Sequence, residues 1–387
     1  MKDSGRLCTL DYLRGLAAFS IMYYHLSFWS LNKLDQHTFL GKLGVYGVSI
    51  FYVLSGLTLF HVYFKKMKPA LNDLKDFFLK RFFRIFPLLW LVVFLTLVLN
   101  KIIPTWKGLV LNLSGLFGLI KWTGYYATGT WSIGNELVFY LFFPFFILLS
   151  KRKPLLFYIF SALLFGCFLY FAFYKLKIEI PLSEQWHDYV NPMNQVFLFL
   201  GGYLIGYLFN NVQFSNKGSF FILFVALAVF IFYPAEGNIA AGINRIIFSA
   251  CCFLICFALY KNTYRLPGII DKPLLLLGEI SYSLYLLHPI VWLGLKLFVF
   301  TPLDTVSPVS PSLKMISTIV LSIIVSYCIY YYFERYFMKV GRSITNKKIT
   351  DRNIGDNKKK ESLEQAKYSD DEYLATARNS SSERSFR

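Results

Sequence analysis

Residues 10–31 read LDYLRGLAAFSIMYYHLSFWSL. A run of this length and apolarity is that of a membrane-spanning helix. A charged or titratable side chain within such a span is costly and is by default a functional candidate. Arg14 and His25 are eleven residues apart, which is about 16 Å along a helix axis. One helix therefore carries an anion-binding group toward one face of the bilayer and a proton-transfer group in the other half.

The rest of the chain agrees with a membrane reading. It has 387 residues, 56% hydrophobic and only 16% charged, with many long apolar runs. Aromatics make up 19%, which suits lipid contact and interfacial belts. The predicted class is all-α: a polytopic membrane helical bundle of about ten spans. These are read at about 10–31, 43–63, 85–103, 131–150, 154–174, 191–210, 218–234, 239–260, 274–300 and 313–337. The run Gly108–Ile120 is shorter and broken by Gly and Ser, and is either re-entrant or an eleventh span. Residues 1–340 form the membrane domain, and 341–387 a polar, disordered cytoplasmic tail.

The net charge is +18, but the basic residues cluster in short loops. That is a topology signal, with no recognition motif for nucleic acid. With both termini inside, alternate loops hold Lys65, Lys66, Lys68, Lys75, Lys80, Arg81 and Arg84, then Lys151, Arg152 and Lys153, then Lys217, then Lys261, Arg265 and Lys272. The opposite loops include Glu179, Glu184, Asp188 and Glu236. The six cysteines form no CxxC pair and read as small hydrophobes, so no metal site is expected.

In this topology Arg14 lies in the inner half and His25 in the outer half. Glu136 follows Trp131, Ser132 and Asn135 from the outer start of its span, about 8 Å below the surface. His288 lies about 21 Å from the inner end of the ninth span. His25, Glu136 and His288 are thus expected in one layer, with Glu136 orienting His25. Arg81 and Arg84 share a helical face at the inner surface, as a phosphate clamp would. The bland alternatives are a snorkelling Arg14, a hydrogen-bonded packing role for His25, a helix-capping Glu136, a His288 that steadies the Pro289 kink, and plain topology charges at Arg81 and Arg84. Gly44, Gly47, Gly56, Gly201, Gly202 and Gly206 suit close helix packing, or the thin wall of a tunnel. Arg245, Glu279 and Lys296 are given no chemistry.

Five segments in order resemble the acyltransferase-3 family of integral membrane acyltransferases: LDYLRGLAAFSIMYYH, GVSIFYVLSG, RFFRIFP at Arg81–Pro87, TWSIGNELVFYLFFP at Thr130–Pro144 and GEISYSLYLLHP at Gly278–Pro289. The resemblance covers about Leu10 to Tyr336. It implies a ten-span enzyme, with no permanently bound cofactor, that takes cytoplasmic acyl-CoA, most simply acetyl-CoA, as co-substrate. It would O-acylate an envelope polysaccharide or glycolipid, in a bacterial plasma membrane. By that resemblance Arg14, His25 and Glu136 are catalytic, and Arg81 and Arg84 bind the donor. Trp131, Ser132, Asn135, Ser281, Tyr282 and His288 are candidate lining residues. One departure is the lack of the fused soluble esterase-like domain that some members carry, so the acyl group is expected to reach the acceptor from the membrane unit alone or through a separate extracytoplasmic partner; a homo-oligomer is a further expectation. A transporter or flippase for a glycan or lipid-linked intermediate is the competing class; it would use His25 and Glu136 as a proton relay.

Overall fold

The computed structural model describes residues 7–31, 35–68 and 70–345. Its helices, in order, are α1 (Cys8–Leu31), α2 (Phe39–Tyr63), α3 (Leu71–Leu99), α4 (Trp106–Ser114), α5 (Phe117–Ile120), α6 (Thr130–Arg152), α7 (Pro154–Tyr170), α8 (Trp186–Tyr189), α9 (Pro192–Phe209), α10 (Asn216–Phe232), α11 (Gly242–Lys261), α12 (Gly268–Glu279), α13 (Ser281–Leu295), α14 (Thr301–Val306) and α15 (Pro311–Ile329). No strand occurs among the described residues. π-helical turns at Phe171–Lys175, Lys296–Phe300 and Tyr330–Glu334 prolong α7, α13 and α15. The last helical run continues to Thr345, so residues 341–345 of the expected tail are helical, and the remainder of that tail lies outside the described residues.

Eight described helices are long and apolar enough to cross a membrane. α10 has 17 residues and falls just short of them. α1 has 24 residues, about 36 Å, but carries Asp11 and Arg14. Together these match the ten runs read from the sequence. The segment Gly108–Ile120 is not an eleventh. α4 has nine residues, about 14 Å against a hydrocarbon core of about 30 Å. It ends at Gly115, whose φ of 74° turns the chain.

Two boundaries differ from the sequence reading. α3 starts at Leu71, well before the apolar run at 85, and has 29 residues. Its polar first half continues the same helix, because nothing between Leu71 and Arg84 breaks it, and at about 43 Å the helix is longer than the hydrocarbon core. Arg81 and Arg84 therefore sit within a helix rather than at its mouth. The ninth span is split at Ile280 (φ −86°, ψ 3°) into α12 and α13.

The bundle is held by close approaches. α2 packs most extensively on α9. A Cβ on Gly56 would strike the Phe199 carbonyl, and one on Gly202 the Val53 carbonyl. Gly44 faces the Tyr24 ring, Gly47 Ile21, Gly201 Phe253 and Gly206 Phe60. All six glycines are packing positions, and none lines the large cavity, so the tunnel-wall reading does not hold. Buried rings of Phe77, Phe139, Phe143, Phe146, Phe199 and Tyr203 fill the centre. Lys42, 2% exposed, donates to the carbonyls of Ile231 and Tyr233 at 3.0 Å each, at the C-terminal end of α10 where helix carbonyls lack partners. Arg245 is likewise structural. It bonds the Ala240 and Asn194 carbonyls and lies over the rings of Phe168, Tyr189 and Phe197.

Candidate active site

A cavity of about 720 Å³ opens between α1, α2, α3, α6 and α13. Its lining carries Arg14, Lys66, Lys80, Arg81, Arg84 and Arg342 against Asp73, Asp76 and Glu136. The cations outnumber the carboxylates, which favours a polyanionic occupant. Its volume is within the ordinary range for a small-molecule site.

Arg14 does not snorkel to a lipid surface. Its guanidinium donates to Asp11 at 2.9 Å and to Thr58 Oγ1 at 3.1 Å, and it faces the cavity. Arg81 is held between the rings of Tyr63 and Tyr140, 5.8 Å from each centroid, and its buried Nε has no hydrogen-bond partner. Arg84, one turn on, is an exposed side chain on the same cavity wall.

Glu136 accepts hydrogen bonds from Ser55 Oγ at 2.9 Å and from the Tyr140 hydroxyl. On α6 the positions 132, 136 and 140 lie one above another at i, i+4 spacing, and Ser132, Glu136 and Tyr140 all reach the cavity. Trp131 and Asn135 sit on the adjacent face and do not line it. Trp131 packs on Trp186 and Tyr189. Asn135, fully buried, donates to the Tyr52 hydroxyl at 3.3 Å. Ser281 and Tyr282 line the cavity as expected. Ser281 is tied to the Gly278 carbonyl and Tyr282 to that of Ile85.

The expected layer of His25, Glu136 and His288 divides in two. His25 Nδ1 lies 2.8 Å from His288 Nε2, while the hydrogen bonds of Glu136 go to Ser55 and Tyr140. Helical rise sets depth but not which helices are neighbours. α1 packs chiefly on α2, α12, α13 and α15, whereas α6 packs on α5, α7 and α9. Glu136 therefore does not orient His25.

The histidine pair stands between two cavities. On α1, Arg14 lines the large cavity, His25 follows, and Phe28, Trp29 and Ser30 line a second cavity of about 430 Å³. On α13 the order repeats: Ser281, Tyr282 and Tyr285 line the first cavity, His288 follows, and Trp292 lines the second. Phe51 and Tyr285, 6.0 Å apart by ring centroid, both line the large cavity, and the Tyr285 ring lies 6.3 Å from that of His288. Tyr285 donates to the Gly129 carbonyl at 3.0 Å and lies 2.9 Å from Ser132 Oγ. The second cavity is walled by Trp29 and Trp292, stacked at 5.9 Å, and by the Lys314–Asp304 ion pair at 2.6 Å.

Ser55, Thr58, Tyr63, Tyr140 and Tyr285 were not selected from the sequence. Two signals were available. Ser55 and Thr58 are three apart in an apolar run, and Tyr140 is four beyond Glu136. Buried Glu334, bonded to Ser283, had only its place at the end of an apolar run to mark it.

Among known proteins, residues 9–331 match the family model described as Acyltransferase domain. A candidate acetyltransferase, ORF330, of Acidianus two-tailed virus is 27% identical over 286 residues, 71% of this chain and 80% of that one. The peptidoglycan O-acetyltransferase OatA of Listeria monocytogenes is 23% identical over 325 residues, 74% of this chain and 49% of that one. A candidate peptidoglycan O-acetyltransferase, YrhL, of Bacillus subtilis is 24% identical over 323 residues, covering 74% and 48%. The chain thus spans about half the length of the last two. No solved structure matches it.

Proposed function

We infer the reaction from one premise: the chain belongs to the acyltransferase family whose model covers residues 9–331, and it is an integral membrane enzyme. It moves an acetyl group from acetyl-CoA to a hydroxyl of an envelope glycan or glycolipid. The donor occupies the large basic cavity, entering from the cytoplasm with its phosphates on Arg81, Arg84 and the neighbouring lysines. Arginine forks bind such groups bidentately. Its pantetheine arm runs past Arg14 toward Tyr285 and Phe51, and the acceptor comes from the opposite face. His25 takes the hydroxyl proton as the sugar oxygen attacks the thioester. Glu136 holds the cavity wall through Ser55 and Tyr140, close to the donor arm. The membrane is a bacterial plasma membrane, and any extracytoplasmic partner would receive or present the glycan.

The observation that carries this reading is the place of His25, between a basic cavity on one side and an aromatic one on the other. Donor and acceptor then approach one imidazole from opposite sides. A transporter would need one continuous path that alternates its access, and family membership favours chemistry over transport. The test is thiol release. The protein in lipid should liberate CoA from acetyl-CoA when soluble peptidoglycan fragments are added, with acetate appearing on the fragments by mass analysis. Donor left intact across a panel of envelope glycans would refute it.

A further inference from the structure

Inside the bundle, one hydrogen-bond chain sets the protonation of His25. His288 is 1% exposed, and its Nδ1 lies 2.9 Å from the Leu284 carbonyl. A carbonyl oxygen only accepts, so His288 Nδ1 carries the proton. In the uncharged pair His288 Nε2 is then bare and accepts. The atom 2.8 Å from it is His25 Nδ1, which must be the donor. His25 is thereby fixed with its proton on Nδ1 and its lone pair on Nε2, and among the described residues that Nε2 has no hydrogen bond. Rings hold the arrangement. Trp29 stacks on His25 at 5.2 Å and lies 6.1 Å from His288, and the two imidazoles are tilted by only 22°.

We propose that His288 is the positioning residue of His25, holding it in the Nδ1-protonated tautomer whose free Nε2 is the base. This rests on the reading of His25 as general base. It gives the second imidazole the part that a carboxylate plays in a hydrolase triad, and it explains why Glu136 is elsewhere. The step balances. The acceptor O–H bond breaks and its proton goes to His25 Nε2. The oxygen forms a bond to the thioester carbon, the C–S bond breaks, and the leaving thiolate takes that proton from His25. Throughout, His25 Nδ1–H stays on His288 Nε2, which steadies the transient imidazolium. A structural His288 that only supports the kink before Pro289 would make no demand on the His25 tautomer.

The tautomer can be read without any substrate. In the full chain in lipid, with 15N-histidine labelling, His25 is assigned by the signal lost in His25→Asn. It should show a protonated Nδ1 and an unprotonated Nε2, the form less favoured by free imidazole side chains. His288→Gln, whose amide oxygen can accept in place of Nε2, should keep that form. His288→Leu, which cannot accept, should move His25 to the Nε2-protonated form. Turnover should follow, with kcat falling about a hundredfold in the Leu variant, largely restored in the Gln variant, and KM for acetyl-CoA unchanged in both. A wild-type His25 protonated on Nε2, or a tautomer that does not respond to His288→Leu, overturns the proposal. Because this spectrum needs no reaction, its outcome is separate from that of the thiol-release assay.

Discussion

At the scale of single residues, the proposed function assigns donor binding and proton transfer to separate groups. Arg14, Arg81, Arg84 and Glu136 line the cavity, and the two imidazoles do not. Substitutions on the two sides should therefore fail differently. His25→Ala should lower kcat about a hundredfold or more while the protein still inserts and still binds donor; near-normal turnover in the purified variant would remove His25 from the mechanism. Arg81→Ala combined with Arg84→Ala should raise the KM for acetyl-CoA well above any change in that for acceptor. Lys at both positions should rescue only in part, because Arg81 is sandwiched between two tyrosine rings and Lys lacks the planar fork. Donor affinity unchanged in the double Ala variant would leave these residues as topology signals alone.

At the scale of elements, the α2–α9 pair sets the frame. Ser55 and Thr58, which reach Glu136 and Arg14, flank Gly56, so the closest helix approach and the polar wall come from the same stretch of α2. Gly56→Val should strain this contact, since its Cβ would meet the Phe199 carbonyl and a backbone cannot yield as a flexible side chain does. Overpacking of this kind typically costs about 1–3 kcal/mol. Thermal unfolding in detergent should show a clear fall in Tm for Gly56→Val. Gly166→Ala on α7, where a Cβ would meet nothing within 4 Å and Ala favours the helix over Gly, should not lower Tm. Equal behaviour of the two variants would mean that the approach is not limiting. α6 makes the complementary point, because one face, at 132, 136 and 140, serves the cavity, while 131 and 135 serve the core.

At the scale of the whole molecule, the issue is sidedness. α4 is too short to add a crossing, so ten crossings predict that the loops after α6 and α11 lie on the side of the basic loop between α2 and α3. In a background without the six native cysteines, single cysteines at Lys121 and Ser183 should react with an impermeant thiol reagent on intact cells. Cysteines at Arg152 and Thr263 should react only after permeabilisation. All four positions are exposed, so silence would reflect the membrane and not burial. Labelling of the Arg152 position from outside would invert the proposed entry of donor and acceptor.

The amino-acid sequence by itself determined the all-helical class, the ten apolar runs and the polar groups that stand out within them. Each of these follows from composition, run length and the cost of burying charge, all local properties of the chain. The Arg14–His25 spacing and the Arg81–Arg84 face were legible for the same reason, since both lie within one helix. Tertiary structure decided what meets across helices. It paired His25 with His288 rather than with Glu136, brought Ser55 and Thr58 to Glu136 and Arg14, turned Trp131 and Asn135 away from the cavity, and assigned the glycines to packing. Rise per residue gives depth in the membrane, but the rotation of each helix and its choice of neighbour are settled only when ridges, glycine gaps and buried hydrogen bonds are satisfied together.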